Sequence, residues 1–307
     1  MTGSAAKAGA AAPHTARAYA ALSAVCFFWG TTYLAIRMGL ESFPPLTLVA
    51  IRFTVSGSLL LAVAVLSGVK LPPRRELGTS ALTGILLLGG SNTCLVFSET
   101  WIPSGLAALI IALSPFWLVG TEALLPGGAR LHRPTIAGML VGLAGVALLL
   151  LPDLRGQGFG TGALLVRGFV VLQFANAFWS FGSIYYRRQP ATAHPIVSGA
   201  IQQLAAGLAI AVPALLVPQR AVVLSWRGVG GVAYLVVFGS IVGYSAYIYA
   251  LSHLPVAVVS IYPYVNTVVA VLLGWWFYRE PFGLNEAAAM AVIFAGVALV
   301  KRSTLKR

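Results

Sequence analysis

Between Ala18 and Val300 the chain is a succession of apolar runs, each about 18 to 25 residues long, separated by short polar breaks. At about 1.5 Å of rise per residue, such a run crosses a hydrocarbon core roughly 30 Å thick as a single helix. Backbone polar groups in lipid must be satisfied internally, which admits only helices and closed barrels. Runs of this length without period-two alternation specify helices. The hydrophobic share is 59% and the charged share 9%, with a mean hydropathy of +0.89, so no stretch is left over for a soluble domain.

The fold class expected is an all-α integral membrane protein with ten transmembrane helices, at 18–38, 44–67, 79–98, 103–125, 134–151, 161–186, 195–217, 229–251, 255–278 and 284–300. Breaks such as "ESFPP", "LPPRRE", "PGGARLHRP" and "YREPFG" carry the proline and glycine that stop helices. Most are short, which makes neighbouring helices antiparallel. Residues 1–17 read as a disordered basic tail ahead of a retained first helix, and 301–307 as a basic cytoplasmic tail. Cys26 and Cys94 fall inside spans and point to neither a disulfide nor a metal site.

A net charge of +13 could mark a nucleic-acid partner, so the placement of the 20 Lys and Arg decides the matter. With the N-terminus inside, thirteen fall on the cytoplasmic side and five on the other, while Arg52 and Arg167 lie within spans. This is the positive-inside asymmetry of a multi-pass protein in a cell membrane of the bacterial inner-membrane type, with both termini cytoplasmic. The partners expected are a small organic solute and membrane lipid, not nucleic acid.

Slid on itself by 150 residues, the sequence matches Phe28-Trp29 with Phe178-Trp179, Pro45 with Pro195, Ala50-Ile51 with Ala200-Ile201, and Gly57 with Gly207. At 152 Pro103 meets Pro255, and at 151 "AGVAL" of 144–148 recurs at 295–299. The pattern predicts two five-helix units, 18–151 and 161–300. Five is odd, so the second enters the membrane inverted, the arrangement from which secondary transporters build a midplane site.

The Trp29-Gly30-Thr31 turn, "AIRF" at 50–53, the mid-helix prolines Pro115 and Pro263, Glu280 after the ninth helix and the "GV" of the last helix in each half resemble the EamA-type transporters of the drug/metabolite transporter superfamily. The resemblance spans roughly 18–300. It implies an inverted five-plus-five fold and transport of small organic solutes, commonly export of amino acids or other metabolites. One departure is "PGGARLH", which stands where such proteins usually carry an acidic residue after the fourth helix.

No catalytic signature is present: there is no HExxH, GxSxG, Walker A or GxGxxG. No cofactor, metal or enzymatic activity is expected. Glu99 and Glu122 lie near span ends and the other acidic residues in loops or at helix ends, so no carboxylate relay is visible at membrane depth. The polar residues inside spans carry the functional expectation. Gln173, Asn176, Ser180 and Ser183 share one helical face beside Trp179, and four polar positions in register exceed what one packing contact needs. Arg52, costly at depth, has Gln202 as its repeat partner and is a candidate for an anionic substrate group or a gate. Asn92, Tyr244 and Tyr247 are expected on a cavity wall, and Trp29 with them. Pro263 frees a backbone carbonyl on Val259 and Pro115 one on Ile111, which makes each half carry one kinked helix and places Tyr262 and Asn266 toward a cavity.

Two features read as structure. Trp275, Trp276 and Tyr278 are interfacial anchors. The small faces Gly138/Gly142/Gly145 and Ala287/Ala291/Ala295 serve packing within the protein or a homodimer contact. The function expected is a secondary transporter, an exporter of amino acids or amphipathic drugs working by alternating access. The alternative is a membrane-embedded enzyme acting on a lipid or isoprenoid substrate, which would need a reactive constellation at one interface.

Overall fold

A computed structural model of the chain describes residues 11–127, 132–154, 162–189, 192–254, 256–259, 262–280 and 282–305. Among the described residues the only regular structure is helical. In chain order the segments are α1 (Ala11–Ser42), α2 (Pro45–Leu66), α3 (Arg74–Gly84), α4 (Ser91–Ser98), α5 (Ser104–Ile111), α6 (Ser114–Leu124) and α7 (Arg133–Leu154). There follow α8 (Gly162–Arg187), α9 (Pro195–Leu216), α10 (Trp226–Tyr234), α11 (Gly243–His253), α12 (Val256–Val259), α13 (Tyr262–Tyr278) and α14 (Leu284–Leu305). Among the described residues seven helical paths are long and apolar enough to cross a membrane, and α7 and α14 hold the shorter apolar stretches Arg133–Leu149 and Leu284–Val300.

Large apolar side chains point outward as well as inward. Val63, Leu140, Leu143, Leu208, Val212 and Leu272 are exposed, which is costly in water and matches a lipid surround. With no hydrophobic drive between helices in lipid, close packing must hold them together, and small residues permit it. A Cβ on Gly57 of α2 would fall on the Leu204 backbone of α9, and one on Gly207 would fall on Thr54. Likewise Gly296 of α14 sits against the Gly142 backbone of α7. The glycine face of the fifth expected span is thus occupied within the chain.

One span expected to be continuous is interrupted. The path 104–124 breaks at Ala112 and Leu113, just ahead of Pro115. The carbonyl that finds an outside donor there is that of Ile110, which receives the Asn176 side chain at 3.3 Å, rather than that of Ile111. On the path 256–278, positions 260–261 lie outside the described residues, and with them the kink expected ahead of Pro263.

Two further irregularities have no signature in the hydropathy. Ile85–Gly90 and Leu235–Val242 are π-helical turns set inside long helical paths. They begin 150 positions apart, the offset of the sequence repeat. At the ends, the helix begins at Ala11 and runs to Leu305, so 11–17 and 301–305 are helical rather than tail; 1–10, 306 and 307 lie outside the described residues.

Candidate functional site

The π-helical turns, the break ahead of Pro115 and the Pro263 end of α13 face one another. Between them lies a cavity of about 120 Å³, room for several waters. A π-turn shifts the hydrogen-bond register and leaves a carbonyl without its usual donor. In the second turn Gly239 is such a group: its carbonyl accepts from Trp29 Nε1 at 3.0 Å. The same shift presents Gly239 and Ser240 to the cavity, while the first turn presents Leu88 and, just after it, Ser91 and Asn92.

Arg52 of α2 is the charge at this site. It is 6% exposed, its Nε donates to Ser240 Oγ at 3.0 Å and its Nη1 to Asn92 Oδ1 at 3.4 Å, and its guanidinium lies 4.7 Å from the Phe53 ring centroid. Among the described residues no carboxylate lies within ion-pair distance of it. A guanidinium has five N–H donors in a planar fork; two serine and asparagine oxygens leave the rest for a ligand.

Opposite polar atoms are left over too. Asn176 spends its amide nitrogen on Ile110, while its Oδ1 is buried without a partner among the described residues. Gln203 accepts from Ser56, and its Nε2 is likewise unpartnered. Both residues line the cavity. Buried amide atoms of this kind cost free energy unless a ligand or water meets them.

The walls are aromatic. Trp29 packs edge-on against Trp179 at 6.4 Å and against Tyr262 at 5.1 Å, and against Tyr247 at 5.1 Å. Tyr244 is held by its hydroxyl, which donates to Gln202 Oε1 at 2.6 Å. Asn266 ties α13 to α1: in the amide orientation its surroundings require, its nitrogen donates to Cys26 O at 2.8 Å and Tyr262 O at 3.0 Å.

Of the residues singled out in the sequence, Trp29, Arg52, Asn92, Asn176, Trp179, Tyr244, Tyr262, Pro263 and Asn266 line this one cavity. Others stand behind it. Tyr247 backs Trp29 and Tyr262, and Gln202 anchors Tyr244. Gln173 is one turn too far along α8: its Oε1 accepts from Trp117 Nε1 at 2.9 Å, a link between α8 and α6. Pro115 sets the break below Ser114, which does line the cavity. Tyr33, Thr32 and Ser114 were not legible, since a lone hydroxyl in an apolar run carries no periodic signal.

Two ionic clusters lie at the two ends of the 21-residue path Ser104–Leu124. At its start, Glu280 accepts from Ser104 N at 2.8 Å, Ser104 Oγ at 2.9 Å and Gly105 N at 3.0 Å, which caps α5 with a carboxylate supplied from a distant segment. Arg37 of α1 lies 3.7 Å from the same carboxylate. Near the path's other end, Glu122 pairs with Arg187 and, at 3.5 Å, with Arg188. Arg37 and Arg187 are again 150 positions apart.

The EamA-like transporter family matches this chain twice, over residues 16–151 and 166–302. The uncharacterized inner membrane transporter YedA of Escherichia coli K12 is 36% identical over 285 residues, covering 92% of this chain and 90% of that protein. A probable terminal-alkyne amino-acid exporter of Streptantibioticus cattleyicolor is 28% identical over 284 residues, 91% of each chain. The aromatic amino acid exporter YddG of Ancylobacter novellus is 32% identical over 171 residues, 56% of this chain and 58% of that one. A solved crystal structure aligns with 96% of this chain and 98% of its own at a TM-score of 0.66 and 24% identity, which shows the fold. With two family matches that together span most of its length, the chain belongs to the EamA-like transporter family and is a multi-pass membrane transporter.

Proposed function

We propose that the protein exports a small zwitterionic solute, an amino acid with an apolar or aromatic side chain, by alternating access between two inverted five-helix halves. The observation that carries this reading is Arg52, a cation at the cavity wall with no carboxylate within ion-pair distance among the described residues. A buried guanidinium is costly unless matched, and a substrate carboxylate matches it bidentately. The unpartnered Oδ1 of Asn176 supplies an acceptor for an ammonium, and Trp29, Trp179, Tyr244 and Tyr262 supply apolar walls for the side chain. The amino-acid exporters among the relatives support the same substrate class.

The paired ionic clusters give this reading its mechanism. Ten spans with the termini cytoplasmic place Arg37 and Glu280 at the outer end and Arg187 and Glu122 at the inner end. Each cluster joins the first helix of one half to the fourth of the other, so each acts as a latch between halves. In the outer latch Glu280 is 7% exposed and accepts hydrogen bonds at both oxygens, with Arg37 31% exposed beside it. The inner pair is wet, with Glu122 24% and Arg187 63% exposed, and exposed pairs are worth about 1 kcal/mol or less. The resting state is therefore shut outside and opens inward, ready to load cytoplasmic substrate.

Binding to purified protein tests the substrate class. Trp29 and Trp179 line the cavity, so phenylalanine should quench tryptophan fluorescence. Phenethylamine, which lacks the carboxylate, and 3-phenylpropionate, which lacks the ammonium, should each bind at least about tenfold more weakly, the loss of one charge-assisted contact. Equal binding of phenethylamine and phenylalanine would remove Arg52 from the site.

A further inference from the structure

Glu99, one residue past the end of α4, is 1% exposed, and neither of its carboxylate oxygens has a hydrogen-bond partner among the described residues. The neighbouring carboxylate is the opposite case. Glu280 takes two backbone amides, a serine hydroxyl and Arg37. The guanidinium that could serve Glu99 is turned away from its side chain: Arg37 Nη1 donates to the backbone carbonyls of Glu99 at 2.7 Å and Ile102 at 3.3 Å, and its Nε faces Glu280. The outer latch thus holds two acids and one cation, and the cation is committed to the other acid.

A fully buried carboxyl without donors is far cheaper neutral than ionised. Burial pushes the Glu99 carboxyl well above the usual carboxylate range; Arg37 pulls it down, Glu280 pushes it up again and Arg52 pulls it down. Near these groups stand Tyr33 of α1, which interacts electrostatically with Glu99, and Arg167 of α8, whose guanidinium lies 4.1 Å from the centroid of the Trp101 ring, two residues along from Glu99. Tyr33 and Arg52 also line the cavity, so Glu99 is coupled electrostatically to groups of both the latch and the substrate site.

We propose that Glu99 is a proton-binding site of the outer gate, which holds a proton while Arg37 is engaged by Glu280 and gives it up when the gate opens. The closed cluster then contains one cation, one anion and one neutral acid. On opening, Glu280 is hydrated and Arg37 is released to face Glu99; the Glu99 O–H bond breaks, the proton passes to outer water, and the carboxylate takes Arg37 as its counter-ion. The closed state binds the proton more tightly than the open state, so acid outside favours closure and alkali favours opening, by at most about tenfold in population per pH unit for one proton. The inference rests on the gate and orientation of the proposed function.

Infrared spectroscopy tests it without any transport. Near neutral pH the wild-type protein should show the carbonyl stretch of a protonated carboxylic acid, shifted in heavy water and missing from Glu99→Gln. Should the glutamine variant not fold, Glu99→Asp serves the same assignment, because the band must move with the side chain. A band that is absent in the wild type, or that neither substitution alters, overturns the proposal. In vesicles, efflux from the wild type should slow about fivefold or more as the outer medium is taken from mildly alkaline to mildly acidic, while Glu99→Gln stays slow and flat across that range. A glutamine variant that keeps the wild-type pH profile also overturns it. Absence of any flux from the wild type would count against the transport reading and leave the infrared band to decide the proton site.

Discussion

Arg52→Gln lowers the transport efficiency for a carboxylate-bearing substrate by roughly 30- to 150-fold, the factor corresponding to the loss of about 2–3 kcal/mol of charge-assisted hydrogen bonding. The substitution copies the repeat partner Gln202 and keeps a polar side chain against Ser240 and Asn92, so the bundle itself loses little. Arg52→Lys keeps the charge but not the planar fork, and falls between the two. The control is the amine analogue without a carboxylate: its slow transport should be unchanged in Arg52→Gln. Equal losses for both solutes would mean that Arg52 holds the fold, through Ser240 and Asn92, and does not read the substrate.

Glu280→Gln opens the outer gate. The carboxylate accepts two backbone amides and a hydroxyl at the start of α5 and faces Arg37; the amide turns one acceptor into a donor aimed at donors and takes the counter-ion from Arg37. Removing one partner of a fully buried pair costs about 3–5 kcal/mol; with Arg37 31% exposed the loss is smaller, and it falls on the contact that holds the outer ends of the two halves together. A cysteine placed by Ser91→Cys on the cavity wall, with Cys26 and Cys94 replaced by alanine, reads the result. An impermeant thiol reagent applied outside should label it at least about tenfold faster in Glu280→Gln than in the parent. Glu122→Gln, at the wet inner pair, should change labelling from inside by less than about fivefold. Unchanged outer labelling in Glu280→Gln would mean that Glu280 caps α5 and gates nothing.

Much of this architecture is legible in residue order, and the limits have physical causes. Run length against bilayer thickness gives the seven long apolar paths and the shorter apolar stretches of α7 and α14, and the cost of a polar group in lipid points to Arg52, Asn176 and Asn266, which do meet at one cavity. The proline rule finds the broken helix at Pro115, although the carbonyl served by Asn176 is Ile110 and not Ile111, because the break falls as a turn at Ala112 and Leu113 and not as a smooth kink. Face periodicity groups Gln173 with Asn176 but is blind to depth along the axis, and Gln173 lies a turn away against Trp117. The π-helical turns escape altogether: "ILLLGG" and "LVVFGSIV" are as apolar as any α-helix, and their shifted register is set by what packs against them, Gln202 on Gly84 and Trp29 on Gly239 and Gly243. Glu99 escapes for a related reason. Near a span end it reads as a wet residue, and only the arrival of Arg37 and Glu280 from 62 and 181 positions away covers it.

The central claim is that the cavity around Arg52 carries an amino-acid-like solute across the membrane without any other protein. Counterflow measures this directly. Proteoliposomes containing only this chain, loaded with unlabelled phenylalanine and diluted into a trace of labelled phenylalanine, should take up label transiently above the outside level, and Arg52→Gln vesicles with the same amount of folded protein should not. Label uptake no greater than in protein-free liposomes, from wild-type protein that is folded and binds phenylalanine, would contradict the account.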